Sequence, residues 1–178
     1  MRTASAAAGM LIIAASMAHA DVLIVIDKSA QQVRVVADGD LAHVFKSSTG
    51  KYGTGTPNGS YGVERMHRSW YSRKYDYAPM PYSIFYDRGY AIHGTTVTSR
   101  LGRPASHGCV RLHPNDAKVL FTLVRERGKD NTVVVVTGTN PKAKPSQLIA
   151  QKRKRKPAQQ VRRIRHFDPG PFGWWGRL

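Results

Sequence analysis

The residues able to do chemistry crowd into one short stretch. His93-Gly94-Thr95 is followed by Ser106-His107-Gly108-Cys109-Val110-Arg111-Leu112, and Cys109 is the only cysteine of the chain. A free thiol is mostly protonated at neutral pH and is a weak nucleophile in that form. A neighbouring imidazole that accepts its proton turns it into a thiolate able to attack a carbonyl. Gly108 directly before the thiol permits a tight backbone that aims amide N–H groups at a developing oxyanion. On spacing alone two other readings stand beside this one. Cys109 fits equally as a small buried apolar residue, with His93 and His107 as ordinary loop or core histidines. His93, His107, Cys109 and His113 are also a conceivable zinc set, although no CxxC or HExxH spacing accompanies them.

These groups need a scaffold, and the flanking sequence reads as mostly strand. Val22–Ile26 is a continuous apolar run, the pattern of a strand buried on both faces. Val33 and Val35 alternate with polar residues, and Asp38-Gly39 signals a hairpin before Leu41–Lys46. Residues 50–62 carry five glycines and read as loop. Residues 64–79 are rich in Arg, Trp and Tyr without a clear period. Two short strands are expected over Ser83–Tyr86 and Tyr90–His93, turning at Asp87-Arg88-Gly89. His93 then ends a strand, Cys109 sits in a loop before a helix, and two loops of one sheet bring them together. Asn115 is expected to cap that helix, with Ala117, Leu120, Phe121 and Val124 on one face and Gly128 as its stop. Val133–Val136 is the closing buried strand. The expected class is mainly β: a β-rich core with one helix.

The 178 residues suffice for one domain with a core that needs no disulfide staples. A single cysteine excludes an internal disulfide framework and Cys-rich zinc or iron–sulfur sites. Residues 1–20 read as a secretory signal peptide: Arg2, an apolar centre at Leu11-Ile12-Ile13, and Ala18-His19-Ala20 as cleavage signal. A retained membrane anchor is the alternative. The net charge is +17, and Gln151–Arg165 alone carries eight basic residues and no acid. Residues 141–178 are therefore expected to be a disordered basic tail ending in aromatic residues. Behind an export signal, such a tail suits an anionic envelope polymer or a membrane surface, and nucleic acid is not expected as a partner. A solvated tail with no partner is the plainer alternative.

The string HGT…LGRPASHGCVRL resembles the signature of the YkuD-type L,D-transpeptidase catalytic domain. Twelve residues separate His93 from Ser106, at the short end for that family. Ser48-Thr49-Gly50, Thr56-Pro57-Asn58-Gly59 and Met80-Pro81-Tyr82 resemble further family landmarks in the same order, so the likeness covers roughly residues 21–137, within a domain drawn at 21–140. The resemblance implies Cys109 as nucleophile and His93 as general base, oriented by a backbone carbonyl near Gly94. It implies a β-rich sandwich or barrel with one helix, pocket-shaping roles for Ser106 and His107, and an oxyanion hole from the Gly108 and Cys109 amides. Arg111, where several members carry Asn, would hold a substrate carboxylate or pair with Asp116, and Tyr82 is a further candidate for substrate contact. The implied reaction is acyl transfer on peptidoglycan stem peptides through a thioester, giving 3→3 cross-links or protein attachment, with no cofactor and no metal. A hydrolase on the same scaffold and a non-catalytic wall-binding protein are the competing readings. The oligomeric state is not legible. Residues 64–79 suggest a lid in which Trp70, Tyr71, Tyr75 and Tyr77 stack on substrate and Arg65, Arg68, Arg73 and Lys74 attract anions, or an aromatic loop that merely packs on the sheet.

Overall fold

A computed structural model describes residues 20–142. The readings of the leader (1–20) and of the basic tail (141–178) therefore lie, but for their innermost residues, outside the described residues. The described part is mainly β with one α-helix. In chain order its first strands are β1 (Val22–Asp27), β2 (Gln32–Ala37), β3 (Asp40–Ser48), β4 (Gly59–Gly62) and β5 (Arg65–His67). A small ribbon of β6 (Tyr71–Ser72) and β7 (Ala78–Pro79) follows. Then come β8 (Ser83–Asp87), β9 (Tyr90–Gly94), β10 (Val110–Leu112), α1 (Pro114–Arg127) and β11 (Thr132–Thr137).

Nine strands form one sheet in the order β4-β11-β1-β2-β3-β10-β9-β8-β5. β1 and β11 pair in parallel, as do β9 and β10. The nine-residue β3 joins the two halves, pairing with β2 along most of its length and with β10 at Ser47 and Ser48. The sheet curls into a half-barrel, bringing Tyr61 of the edge strand β4 to Tyr86 of β8, with ring centroids 5.3 Å apart. Inside the curl, Val22, Ile24, Ile26, Val33 and Val35 meet Ile84, Ile92, Val110 and Leu112, all at most 1% exposed. The α1 face of Ala117, Leu120, Phe121 and Val124 closes that core.

β1 differs from the expectation of a strand buried on both faces. Val22, Ile24 and Ile26 are fully buried, while Leu23 and Val25 are half-buried, so one face carries the core. The end of the glycine-rich loop is the edge strand β4, held by pairing with β11 rather than by its own propensity. The stretch after Cys109 is β10 and not loop; its three residues are ordered by partners on both sides, β9 and β3. The helix cap is also different. His113 is the N-cap, its Nδ1 accepting the Asn115 N–H at 3.3 Å, and Pro114 opens the helix where no N–H is required. Asn115 lies in the first turn. Gly128 ends the helix with φ +92°, as its position suggested. Among the described residues no helix is long and apolar enough to cross a membrane.

Candidate active site

The parallel register of β9 and β10 builds the site. Ile92 lies beside Val110 and His93 beside Arg111. Side chains alternate across a strand, so Ile92, Val110 and Leu112 enter the core while His93 and Arg111 take the opposite face, where Cys109, in the bend just before β10, joins them. All three line one open cavity of about 750 Å³. The β6–β7 ribbon and the residues before it form another wall, with Trp70, Arg73, Lys74 and Tyr75. Of the expected lid residues, Arg65 also lines the cavity, whereas Tyr71 and Tyr77 are exposed at 55% and 68%. Arg68 is not among the lining residues. Trp70 packs edge-on to Phe85, and Tyr75 stacks on His107 with centroids 4.7 Å apart.

His93 is buried at the end of β9, and its Nδ1 lies 2.7 Å from the Gly94 carbonyl oxygen. A carbonyl only accepts, so this contact places the ring proton on Nδ1 and leaves the Nε2 lone pair free. Burial pushes the His93 pKa down to about 4; the Gly94 contact opposes this and the Arg111 charge adds to it. Cys109 is half-buried beside Met80, Phe85, Ala91 and Trp70. That apolar bed pushes its thiol up from the usual range, only partly offset by a backbone hydrogen bond to Ala91 and by the charges of Arg111 and Lys74. Both shifts favour the uncharged forms, a thiol at Cys109 and a neutral imidazole at His93. His107, at the cavity mouth, is lowered by partial burial and then by Lys51, Arg111 and Lys74.

The turn carrying Cys109 is fixed by side chains on both sides. Ser106 Oγ accepts from Gly108 N–H at 3.0 Å and donates to the Cys109 carbonyl at 2.5 Å. The Gly108 amide, expected in an oxyanion hole, is thus committed to Ser106, and Cys109 N–H is the remaining donor of that pair. Gly108 has φ +122°, and a Cβ there would meet Tyr90 Cε1 at 2.5 Å. Segment 47–51 holds the turn from below: Ser106 N–H donates to the Thr49 carbonyl, and Lys51 N–H donates back to the Ser106 carbonyl, both at 3.0 Å.

Arg111 forms no ion pair with Asp116; among the described residues it has no carboxylate within 4.0 Å. Together with Arg65, Arg73, Lys74 and Arg88 it makes the cavity wall strongly cationic, and no Asp or Glu lines it. Such a wall favours an anionic ligand. Tyr82, expected at the substrate, is elsewhere: its ring packs edge-on against Phe121 of α1, because Tyr82 sits at φ +55° in the turn before β8. Among the described residues no three His, Cys, Asp or Glu side chains converge as metal ligands do. His113, the fourth member of the conceivable zinc set, is occupied in capping α1.

A family model described as the L,D-transpeptidase catalytic domain matches residues 21–137. YqjB of Bacillus subtilis, whose name places it with the L,D-transpeptidases, is 26% identical over 117 residues, covering 58% of this chain and 66% of its own. A solved L,D-transpeptidase from Stackebrandtia nassauensis is 29% identical with a TM-score of 0.59, over 68% of this chain and 57% of that one. Another from Mycobacterium tuberculosis H37Rv is 26% identical with a TM-score of 0.60, over 66% of this chain and 58% of that one. The chain thus spans a little under two thirds of the length of that curated relative, and less of the two solved chains.

Proposed function

Because this chain belongs to the L,D-transpeptidase (YkuD) catalytic-domain family, we propose that it is an exported cysteine acyltransferase acting on peptidoglycan stem peptides, with Cys109 as nucleophile and His93 as general base. The observation that carries this reading is the meeting of both side chains in one cavity, His93 from the end of β9 and Cys109 from the turn that enters the adjacent β10, with His93 Nδ1 on the Gly94 carbonyl. His93 Nε2 takes the thiol proton as sulfur attacks the carbonyl carbon on the L-centre of the diamino acid. The carbonyl oxygen becomes an oxyanion, stabilised by the Cys109 N–H. Collapse breaks the C–N bond, the terminal D-Ala amine leaves with the proton held by His93, and a thioester remains. An acceptor amine then attacks the thioester; its proton passes through His93 to the departing sulfur.

The cationic wall supports a substrate bearing carboxylates, and Arg111, unpaired and beside His93, is the residue we assign to hold one. Export to the periplasm rests on the leader over residues 1–20. The run Gln151–Arg165 supports an anionic envelope partner on composition alone.

The test is intact-mass analysis of the mature, reduced protein incubated with a carbapenem, beside Cys109→Ala. One adduct on the wild type and none on the variant supports an acyl-accepting Cys109; no adduct on folded wild type removes the reading. Stem tetrapeptides then separate outcomes: a cross-linked dimer marks transfer, and free termini without dimer mark hydrolysis.

A further inference from the structure

Thr56 has no part in the scheme above, yet it is completely buried beneath the Cys109 turn. Its Oγ1 donates to the Gly108 carbonyl at 2.7 Å and accepts the Gly50 N–H at 3.0 Å. Its own carbonyl accepts from Lys28 Nζ at 2.8 Å. Lys28 is itself only 3% exposed, and its second bond runs to Asn140 Oδ1 at 3.1 Å. The Gly108 carbonyl and the Cys109 N–H belong to one planar trans peptide and point in opposite directions. Whatever fixes the carbonyl therefore fixes the N–H. Among the described residues nothing accepts from that N–H.

We propose that Thr56 is a positioning residue for acyl transfer: by holding the Gly108 carbonyl it aims the Cys109 N–H at the point in the cavity where the oxyanion forms, and Lys28 holds Thr56 in turn. A hydroxyl is required because the position donates to one backbone group while accepting from another. Valine has the same shape and can do neither. It would leave the Gly108 carbonyl and the Gly50 N–H without their partner, and the peptide would be free to tilt. This inference rests on the thioacyl reading above.

The test compares two reactions of the same thiol in the full chain. Acylation by a carbapenem passes through an oxyanion; alkylation by iodoacetamide is a displacement at a saturated carbon and does not. Loss of one oxyanion donor typically costs on the order of 10²- to 10³-fold, so a misaimed donor is expected to slow Thr56→Val acylation by about tenfold or more. Alkylation is expected to stay within about twofold, and Thr56→Ser, which keeps the hydroxyl, to acylate within about threefold of wild type. Unchanged acylation in Thr56→Val overturns the inference. So does an equal fall in both rates, which would mark a merely structural role. If the valine variant does not fold, Lys28→Met is read in the same way and is expected to show the same split, smaller in size; its absence there overturns the inference. A wild type that is alkylated but never acylated points instead to failure of the thioacyl reading, and this inference falls with it.

Discussion

Arg111 and His93 are Cα partners across the parallel β10–β9 ladder, and both side chains face the cavity. A permanent cation thus stands beside a buried imidazole. Burial and that charge together keep His93 neutral at pH 7, with its pKa near 4. Acid stability follows from this. The unfolded chain binds a proton at His93 near the ordinary value of 6.5, and the folded chain does so only near 4. Between those values the unfolded state holds more protons, so stability is complete above about pH 7 and falls as pH drops from 6.5 to 4. The loss is expected to total about 3 kcal/mol. His107, also lowered, acts in the same direction. Urea unfolding at pH 7.5, 5.5 and 4 checks this, and His93→Gln is expected to flatten the curve.

The raised Cys109 thiol sets the pH course of its alkylation. Below its pKa the thiolate fraction grows tenfold per pH unit. Iodoacetamide is therefore expected to react at pH 7 more slowly than with free cysteine. The rate should climb about tenfold per unit through neutral pH and level off later than that of free cysteine. A plateau already reached below pH 7 would reveal a thiolate–imidazolium pair and contradict the neutral resting state.

Gly108 tolerates no side chain. Alanine there meets the Tyr90 ring and holds φ at +122° against its own preference. Gly108→Ala is expected to lower stability by about 1–3 kcal/mol and to slow carbapenem acylation. In a Tyr90→Ala background, where the clash is gone but the backbone strain is not, the same Gly108→Ala change should cost less but not nothing.

Arg111 is expected to matter for substrate rather than for folding. With no acidic partner among the described residues, Arg111→Gln should change stability by no more than about 0.5 kcal/mol. Losing a charge-assisted hydrogen bond should raise KM for a carboxylate-bearing stem peptide about tenfold, with kcat nearly unchanged. An unchanged KM together with a clear loss of stability would assign the residue a packing role instead.

Much of the scaffold is legible in the sequence where burial writes a period. Ala117, Leu120, Phe121 and Val124 mark the buried face of α1, and Val33 and Val35 mark that of β2. Cys109 and His93 draw attention by residue type and spacing. β4 and β10 are not legible, because Gly-Ser-Tyr-Gly and a three-residue strand have weak preferences of their own and are ordered by their neighbours. The polar support below the turn is hidden for a different reason. Lys28, Gln31, Thr49 and Thr56 are residue types that belong on surfaces, and only the assembled structure buries them with partners. Thr56-Pro57-Asn58-Gly59 was visible as a landmark, but no spacing rule ties its hydroxyl to Gly108.

The pairing of β1 with β11 has a consequence in time. Val22 and Thr132 are neighbours in the sheet although about 110 residues apart in the chain. As the polypeptide emerges from its N-terminus, β1 finds β2 at once, but its other edge stays open until β11 has been made. The sheet cannot be completed on a partial chain. Completion waits on almost the entire domain, in the slow regime typical of long-range strand pairing. Until then β1 presents an unpaired edge that is open to a wrong partner.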